Sequence, residues 1–323
     1  MAQFPLWQIA DIGFKPMLGP LCPFAALLQM TRRQQLRHIQ RLHFAAAISP
    51  TLRNAKTKIT LRLTLGGFAM SAPTGLAEAF CNLIASPNCV SVVDGFFDPS
   101  PYFGKLSEIK AYLLDTASSS EIYLTHGISV FDASLEQSKR EHLFSEGLRY
   151  EQTIEALFAP DISPLAGWWQ AIDGAWPTGA RRLEWEGHTL PFGLLRLWDV
   201  GKEALPHQDV LRREVVDLPI AKSFRRQFGI NLYLCNGSGG DLEVWNDRIS
   251  DEEWQKTGLM GSYGYSRAEL GEPDLVFSPK AGDLSIVDTE CVHAVSRISA
   301  GDRLTISGFI GYTSDLDPLV VWS

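Results

Sequence analysis

The chain has 323 residues, 45% of them hydrophobic and 20% charged, with a formal net charge of −8; this is an ordinary globular composition, long enough for one large or two small cores. No apolar run reaches the length of a membrane span, and no secretory signal or disulfide framework can be read from the five cysteines (Cys22, Cys81, Cys89, Cys235, Cys291), so a reducing, cytoplasmic interior is the expected setting. The acidic balance argues against a nucleic-acid partner, whose phosphate backbone calls for a basic surface.

The charge is unevenly placed. Residues 1–69 hold nine Lys or Arg (Lys15, Arg32, Arg33, Arg37, Arg41, Arg53, Lys56, Lys58, Arg62) against one acid, Asp11, leaving 20 basic and 36 acidic residues in the rest. Two differently composed pieces are joined: a basic extension over 1–69 and a folded domain over 70–323. Within the extension Leu36, Ile39, Leu42 and Ala46 recur at helical spacing beside Arg33, Arg37 and Arg41, which predicts a basic amphipathic helix. Three readings stand for it: an organelle-targeting segment, a partner or membrane-surface helix, or sequence upstream of a true start at Met70-Ser71-Ala72-Pro73. The last is preferred, and under none does the segment carry chemistry.

From residue 70 the pattern is that of a packed domain. Residues 75–86 and 105–117 read as helices separated by the turn Pro99-Ser100-Pro101. Asp132 or Ser134, followed by Gln137, offers an N-cap or capping box for a helical region reaching about Phe158, with a break expected near Gly147. A segment rich in Pro, Gly and Trp over 160–185, with Trp168-Trp169 and Trp176-Pro177, reads as packing anchors. A strand over 190–200 comes after it.

Next comes Leu205-Pro206-His207-Gln208-Asp209. On one strand, the two-residue period points His207 and Asp209 to the same face, where they would share a metal ion. Alone, a His-x-Asp pair is weak, since about one is expected by chance in such a chain. The order of the downstream elements gives it weight. Strands are predicted over 227–236, 241–245, 283–288 and 303–312, punctuated by Gly239-Gly240, Ala281-Gly282 and Gly301-Asp302. His293 falls just past the third of them and Arg303 opens the fourth, ten residues on. Between residues 246 and 273 lies a long insertion with Trp254, Tyr263 and Tyr265, read as a lid over the site. His126, His142 and His188 have no partner spacing and read as structural.

This run resembles the Fe(II)- and 2-oxoglutarate-dependent oxygenases, most closely their subgroup of small-molecule, amino-acid hydroxylases and halogenases. The match lies in His207-x-Asp209, the strand ending Tyr233-Leu234-Cys235-Asn236, Gly239-Gly240-Asp241-Leu242 with Trp245, Gly282-Asp283-Leu284 leading to His293, and Arg303-Leu304-Thr305. It covers about residues 190–312, in family order. The resemblance implies an α+β fold, a double-stranded β-helix (jelly roll) core with covering N-terminal helices. It implies Fe(II) on His207, Asp209 and His293, 2-oxoglutarate as cosubstrate, and O2.

The residue types suit that chemistry. A cosubstrate that chelates iron through its keto acid leaves room for only three protein ligands, and two neutral imidazoles with one carboxylate keep the site at modest charge. The far carboxylate needs a fixed cationic fork, which the resemblance places on Arg303, with Thr305 facing the same way and Tyr233 as a further contact. For the near carboxylate the candidates are Arg196 and Trp198, which share a face of the preceding strand.

Asp209 stands where halogenating members carry a small residue, so hydroxylation or a related oxidation (desaturation, ring closure) is expected. Members that repair nucleic acid carry a second arginine six residues after the first; here that position is Phe309. The expected substrate is a small, amino-acid-like molecule. The alternatives are a prolyl-type protein side-chain hydroxylase, which would show an exposed groove, and a non-catalytic jelly-roll binding module. Neither the oligomeric state nor the carbon oxidised has a signature in the sequence.

Overall fold

The computed structural model describes residues 73–119, 122–257 and 264–323; the basic segment 1–69, with its expected amphipathic helix, lies outside them. Helices α1 (Pro73–Ala85), α2 (Leu106–Thr116), α3 (Val130–Leu135), α4 (Gln137–Phe158) and α5 (Pro164–Ala175) lead the chain, interrupted by strands β1 (Val90–Val93) and β2 (Leu124–His126). Then come β3 (Leu194–Trp198), β4 (Ala204–His207), the one-turn helix α6 (Leu211–Glu214), β5 (Arg226–Cys235), β6 (Leu242–Val244), β7 (Leu275–Phe277), β8 (Leu284–Asp288), β9 (His293–Val295), β10 (Arg303–Tyr312) and β11 (Leu319–Trp322). No helix among the described residues is long and apolar enough to cross a membrane.

The strands form two main sheets. The larger runs β1–β8–β5–β10–β3–β2, with Ser118–Ser119 outside β2, and with β11 and Ala180–Arg182 continuing where β3 ends along β10. The smaller runs β7–β6–β9–β4, all antiparallel. Along the larger sheet the two-residue period divides the side chains cleanly. Phe228, Ile230, Leu232 and Leu234 of β5, Leu304, Ile306 and Ile310 of β10, and Leu195 and Leu197 of β3 pack into one apolar core with Leu76, Phe80 and Leu83 of α1, Ile109 and Leu113 of α2, Ile154 and Phe158 of α4, and Leu165, Trp168 and Ile172 of α5. Each such side chain contributes about 1.5–3 kcal/mol by leaving water. The helices therefore cover one face of the larger sheet, and Trp168 is a core residue.

Several sequence expectations are adjusted. The N-cap of α3 is Ser129, whose Oγ accepts the Asp132 amide, so Asp132 sits in the first turn and Gln137 opens the next helix rather than completing a capping box. Helix α4 is unbroken at Gly147; a Cβ there would lie 2.9 Å from the Pro191 ring, so the glycine permits close packing instead of a break. Strand β4 ends at His207, and Asp209 lies just beyond it rather than on it. The described parts of the 246–273 insertion pack with Trp245, Val292 and Ala294, and Tyr265 N–H donates to the Pro206 carbonyl at 2.6 Å; none of these parts lines the cavity described below. Tyr263 lies outside the described residues.

A disulfide joins Cys89 to Cys291, with Cα atoms 6.0 Å apart. This corrects the reading of unpaired, reduced cysteines. The partners are 202 positions apart and meet only because β1 pairs with β8 and the turn after β8 carries Cys291 back, so no spacing in the sequence announces them.

Candidate functional site

The other face of the larger sheet carries Arg196 and Trp198 of β3, Gly229 and Asn231 of β5, Val287 of β8, and Arg303, Ser307 and Phe309 of β10. With His207, Asp209 and His293 from the smaller sheet and its edge, they line one cavity of about 540 Å3. His207 and His293 are direct cross-strand partners in the β4–β9 pair, which brings their ring centroids to 4.5 Å. Asp209 closes the group: its Oδ2 lies 3.7 Å from His207 Nε2 and 3.5 Å from His293 Nε2.

Both imidazoles are oriented by the backbone. His207 Nδ1–H donates to the Leu205 carbonyl at 2.7 Å and His293 Nδ1–H to the Cys291 carbonyl at 3.1 Å. Each proton is thereby held on Nδ1, which turns the two Nε2 lone pairs toward the Asp209 carboxylate. The donor atoms of the three residues lie within 4.8 Å of one another. Two neutral imidazoles and a carboxylate so placed fit a divalent iron-type ion, with the cavity open to further ligands.

Asp209 is clamped at its backbone. Its N–H donates to the Thr289 carbonyl (3.1 Å), and its own carbonyl accepts from Gln227 Nε2 (2.9 Å). Gln227 Oε1 in turn accepts the Leu211 amide at 3.0 Å, tying the start of α6 to β5. Burial alone would raise the Asp209 carboxyl, but the charge and hydrogen bond of His207 and those of His293 outweigh it and hold it well below the usual carboxylate range. Conversely, burial would lower His207, and the Asp209 carboxylate overrides this and raises it. Five residues beyond Asp209, Glu214 also faces the cavity. Burial, and then the Asp209 charge, push its carboxyl up to about 8.

Arg303 is 2% exposed and its guanidinium lies 5.1 Å from the ring centres of both Trp198 and Tyr233. Its Nη1 donates to the Gly240 carbonyl at 2.7 Å, at a glycine whose φ of +70° suits no other residue well. Its Nε has no hydrogen-bond partner among the described residues. Burial pushes this cation below the ordinary arginine range. A buried, incompletely paired guanidinium is costly on its own and fits an incoming carboxylate.

Of the residues singled out in the sequence, His207, Asp209, His293, Arg303, Arg196 and Trp198 all line the cavity. Arg196 stacks over Tyr123 at 4.7 Å, and its Nε has no hydrogen-bond partner among the described residues. Tyr233 and Thr305 lie just behind: the Tyr233 hydroxyl is 3.0 Å from Ser285 Oγ, and Thr305 Oγ1 is 3.3 Å from Ser307 Oγ. Glu214, Gln227 and Thr289 were not legible as site residues, because no motif marks them and only folding brings them to Asp209. Away from the cavity, His126 lies between Tyr112 and Tyr150, and His188 stacks on Phe144 at 4.3 Å.

Fold and site together define a two-histidine, one-carboxylate donor set for a metal ion in a cavity between two largely antiparallel sheets. No family model matches the chain. It is 32% identical over 144 residues to an L-isoleucine 3(1)-dioxygenase of Pantoea ananatis (strain AJ13355), a match covering 41% of this chain and 47% of the relative, so the chain spans about half the length of the curated relative it matches. Among solved structures it is similar to an N-substituted L-amino acid dioxygenase from Burkholderia ambifaria AMMD, at a TM-score of 0.52 and 17% identity over 81% of this chain and 97% of that one. The complex of that protein with alpha-KG gives a TM-score of 0.51 at 19% identity, over 77% and 91% of the two chains. The chain therefore shares the fold of an amino-acid dioxygenase, and its metal triad is the one that the resemblance to Fe(II)- and 2-oxoglutarate-dependent oxygenases implies.

Proposed function

We propose that the protein is an Fe(II)- and 2-oxoglutarate-dependent dioxygenase that hydroxylates an unactivated carbon of a small, amino-acid-like substrate, built on a double-stranded β-helix core within residues 70–323. The observation that carries this is the placing of a His207–Asp209–His293 donor set and a buried, incompletely paired Arg303 on the walls of one cavity. When bound, Fe(II) with 2-oxoglutarate and O2 supplies the oxidation: one oxygen atom leaves in succinate with loss of CO2, and the other enters the substrate as hydroxyl.

The chain's own part is placement. His207, Asp209 and His293 hold the ion, and Arg303 pairs with the far carboxylate of 2-oxoglutarate while Tyr233 and Trp198 sandwich the guanidinium. Thr305 backs that contact from the same strand, and Arg196 and Trp198 flank the near carboxylate. A fixed carboxylate anchor at one end of the cavity sets how far the keto acid reaches toward the triad.

An amino-acid-like substrate is supported on two sides. The relative that shares 32% identity is named for L-isoleucine, and the cavity wall away from Arg303 holds Ile128, Val130, Phe131 and Phe309, which suit an aliphatic side chain.

Anaerobic addition of Fe(II) and then 2-oxoglutarate is expected to produce a weak visible charge-transfer band, and L-amino acids in air are expected to raise succinate release. A folded, iron-loaded protein that shows no band and no succinate sinks the proposal in favour of a binding module.

A further inference from the structure

The cavity has two differently built ends. At one, Arg303 and Trp198 stand beside Ala204, Val295 and Ile298. Strand β4 runs from there, from Ala204 to His207, and the chain passes through Asp209 into α6. At the far end Leu211 of α6 packs with Val130, Trp322 and Phe309, and Glu214 of the same helix faces the cavity beside them. The triad lies between a buried cation and a carboxylate.

Three acidic side chains line the cavity. Asp209 belongs to the metal donor set, and Asp132 is engaged through its Oδ2 by the Ser129 hydroxyl at 2.7 Å. That leaves Glu214. Its Oε1 accepts the Val210 amide at 3.2 Å, and its second oxygen makes no hydrogen bond among the described residues. Arg213 and His207 act on it through charge alone: the Arg213 guanidinium hydrogen-bonds to Asp251 (2.7 Å) and Gln208 (2.9 Å) instead. A carboxyl raised in this way holds its proton in the empty cavity, and an occupant that brings a cation to its free oxygen favours the charged form.

We infer that Glu214 is the acceptor for the free ammonium group of the substrate, so that the amino-acid-like molecule enters with its amine unsubstituted. This rests on the reading under Proposed function and narrows its substrate class. A primary ammonium donates to Oε2 and pairs in charge; an N-acylated amine offers a single neutral N–H and adds bulk where α6, Val130 and Phe309 already close the wall. Specificity for the free amine then arises at Glu214, away from the cosubstrate anchor at Arg303.

The test compares the iron-loaded wild type with Glu214→Gln and Glu214→Asp on a panel of aliphatic L-amino acids, led by L-isoleucine, each offered free and N-acetylated. Calorimetric binding to the zinc-loaded 2-oxoglutarate complex runs beside turnover. The wild type is expected to bind and convert the free forms. Glu214→Gln should raise KM and Kd for them by about tenfold to a hundredfold, the worth of a hydrogen bond to a charged group. The rise should exceed any change in KM for 2-oxoglutarate, and Glu214→Asp should recover part of the loss. Unchanged KM and Kd in Glu214→Gln, or a wild type that prefers the N-acetylated forms, overturns the inference. So does a wild type that consumes 2-oxoglutarate but neither binds nor converts any panel member, and that outcome leaves the oxygenase reading standing. Absence of 2-oxoglutarate consumption removes both.

Discussion

The two faces of the larger sheet are made by the same strands and do opposite work. On β10, Leu304, Ile306 and Ile310 meet the helices, while Arg303, Ser307 and Phe309 meet the cavity; on β5, Phe228, Leu232 and Leu234 stand against Asn231. The helix-covered face is largely apolar and its worth is stability. The cavity face holds a buried guanidinium and a row of hydroxyl and amide groups, which a protein selected for stability alone would replace with aliphatic residues. Function is therefore carried at a cost that the opposite face offsets, one residue away along each strand.

Substitutions on the two faces should separate cleanly. The largest effect is expected at the triad: Asp209→Ala removes the one ligand charge, and with metal worth several kcal/mol to the chemistry the loss of turnover should be about a thousandfold or more. Cooperative unfolding of the metal-free protein should persist, measured by circular dichroism. On the opposite face, Ile306→Ala should cost about 2–5 kcal/mol in chemical denaturation, since Ile306 is 0% exposed, yet leave KM for 2-oxoglutarate unchanged in the folded fraction. If Ile306→Ala instead moved KM, the division between the faces would fail. Returning to the cavity face, Arg303→Ala should raise KM for 2-oxoglutarate by about tenfold to a hundredfold, the worth of charge-assisted hydrogen bonds, while sparing metal affinity. Equal loss of metal affinity would mean that Arg303 supports the fold rather than the cosubstrate.

The same division explains which features could be read in advance. Strand β10 appears with the bounds expected, Arg303–Tyr312, because a two-residue alternation ending in turn residues leaves little freedom. The triad was legible because His207-x-Asp209, His293 and Arg303 follow one another in the order of the family that the run resembles. The features that escaped depend on contacts between distant segments. Cys89 meets Cys291, and Gln227 reaches Asp209, only after β1, β5 and β8 have paired. Glu214 carries no motif, and its character comes from its neighbours in space. The helix reaching Phe158, for which Asp132 or Ser134 is the expected cap, opens at Gln137 after Glu136, and Ser129 caps the separate short helix before it.

The gentlest probe of the cavity face is pH. The Asp209 carboxylate raises His207 above its ordinary value of 6.5, whereas His207 and His293 hold Asp209 below 3.8. In the metal-free protein this attraction is full between those limits: it is lost as pH rises through the raised His207 value, and lost as pH falls below the ordinary carboxylate range. Metal binding runs the other way, because His207 must be neutral to act as a ligand. Its affinity should weaken about tenfold per unit below the raised His207 value and level off above it. The metal-free and metal-loaded proteins should thus show opposite slopes of thermal stability across that value. Asp209→Asn removes the charge that raises His207, so the midpoint of the metal-affinity profile should shift to lower pH even though the affinity itself is weaker. A midpoint that stays in place would show that Asp209 does not set the protonation of His207, and that the two groups meet only through the ion.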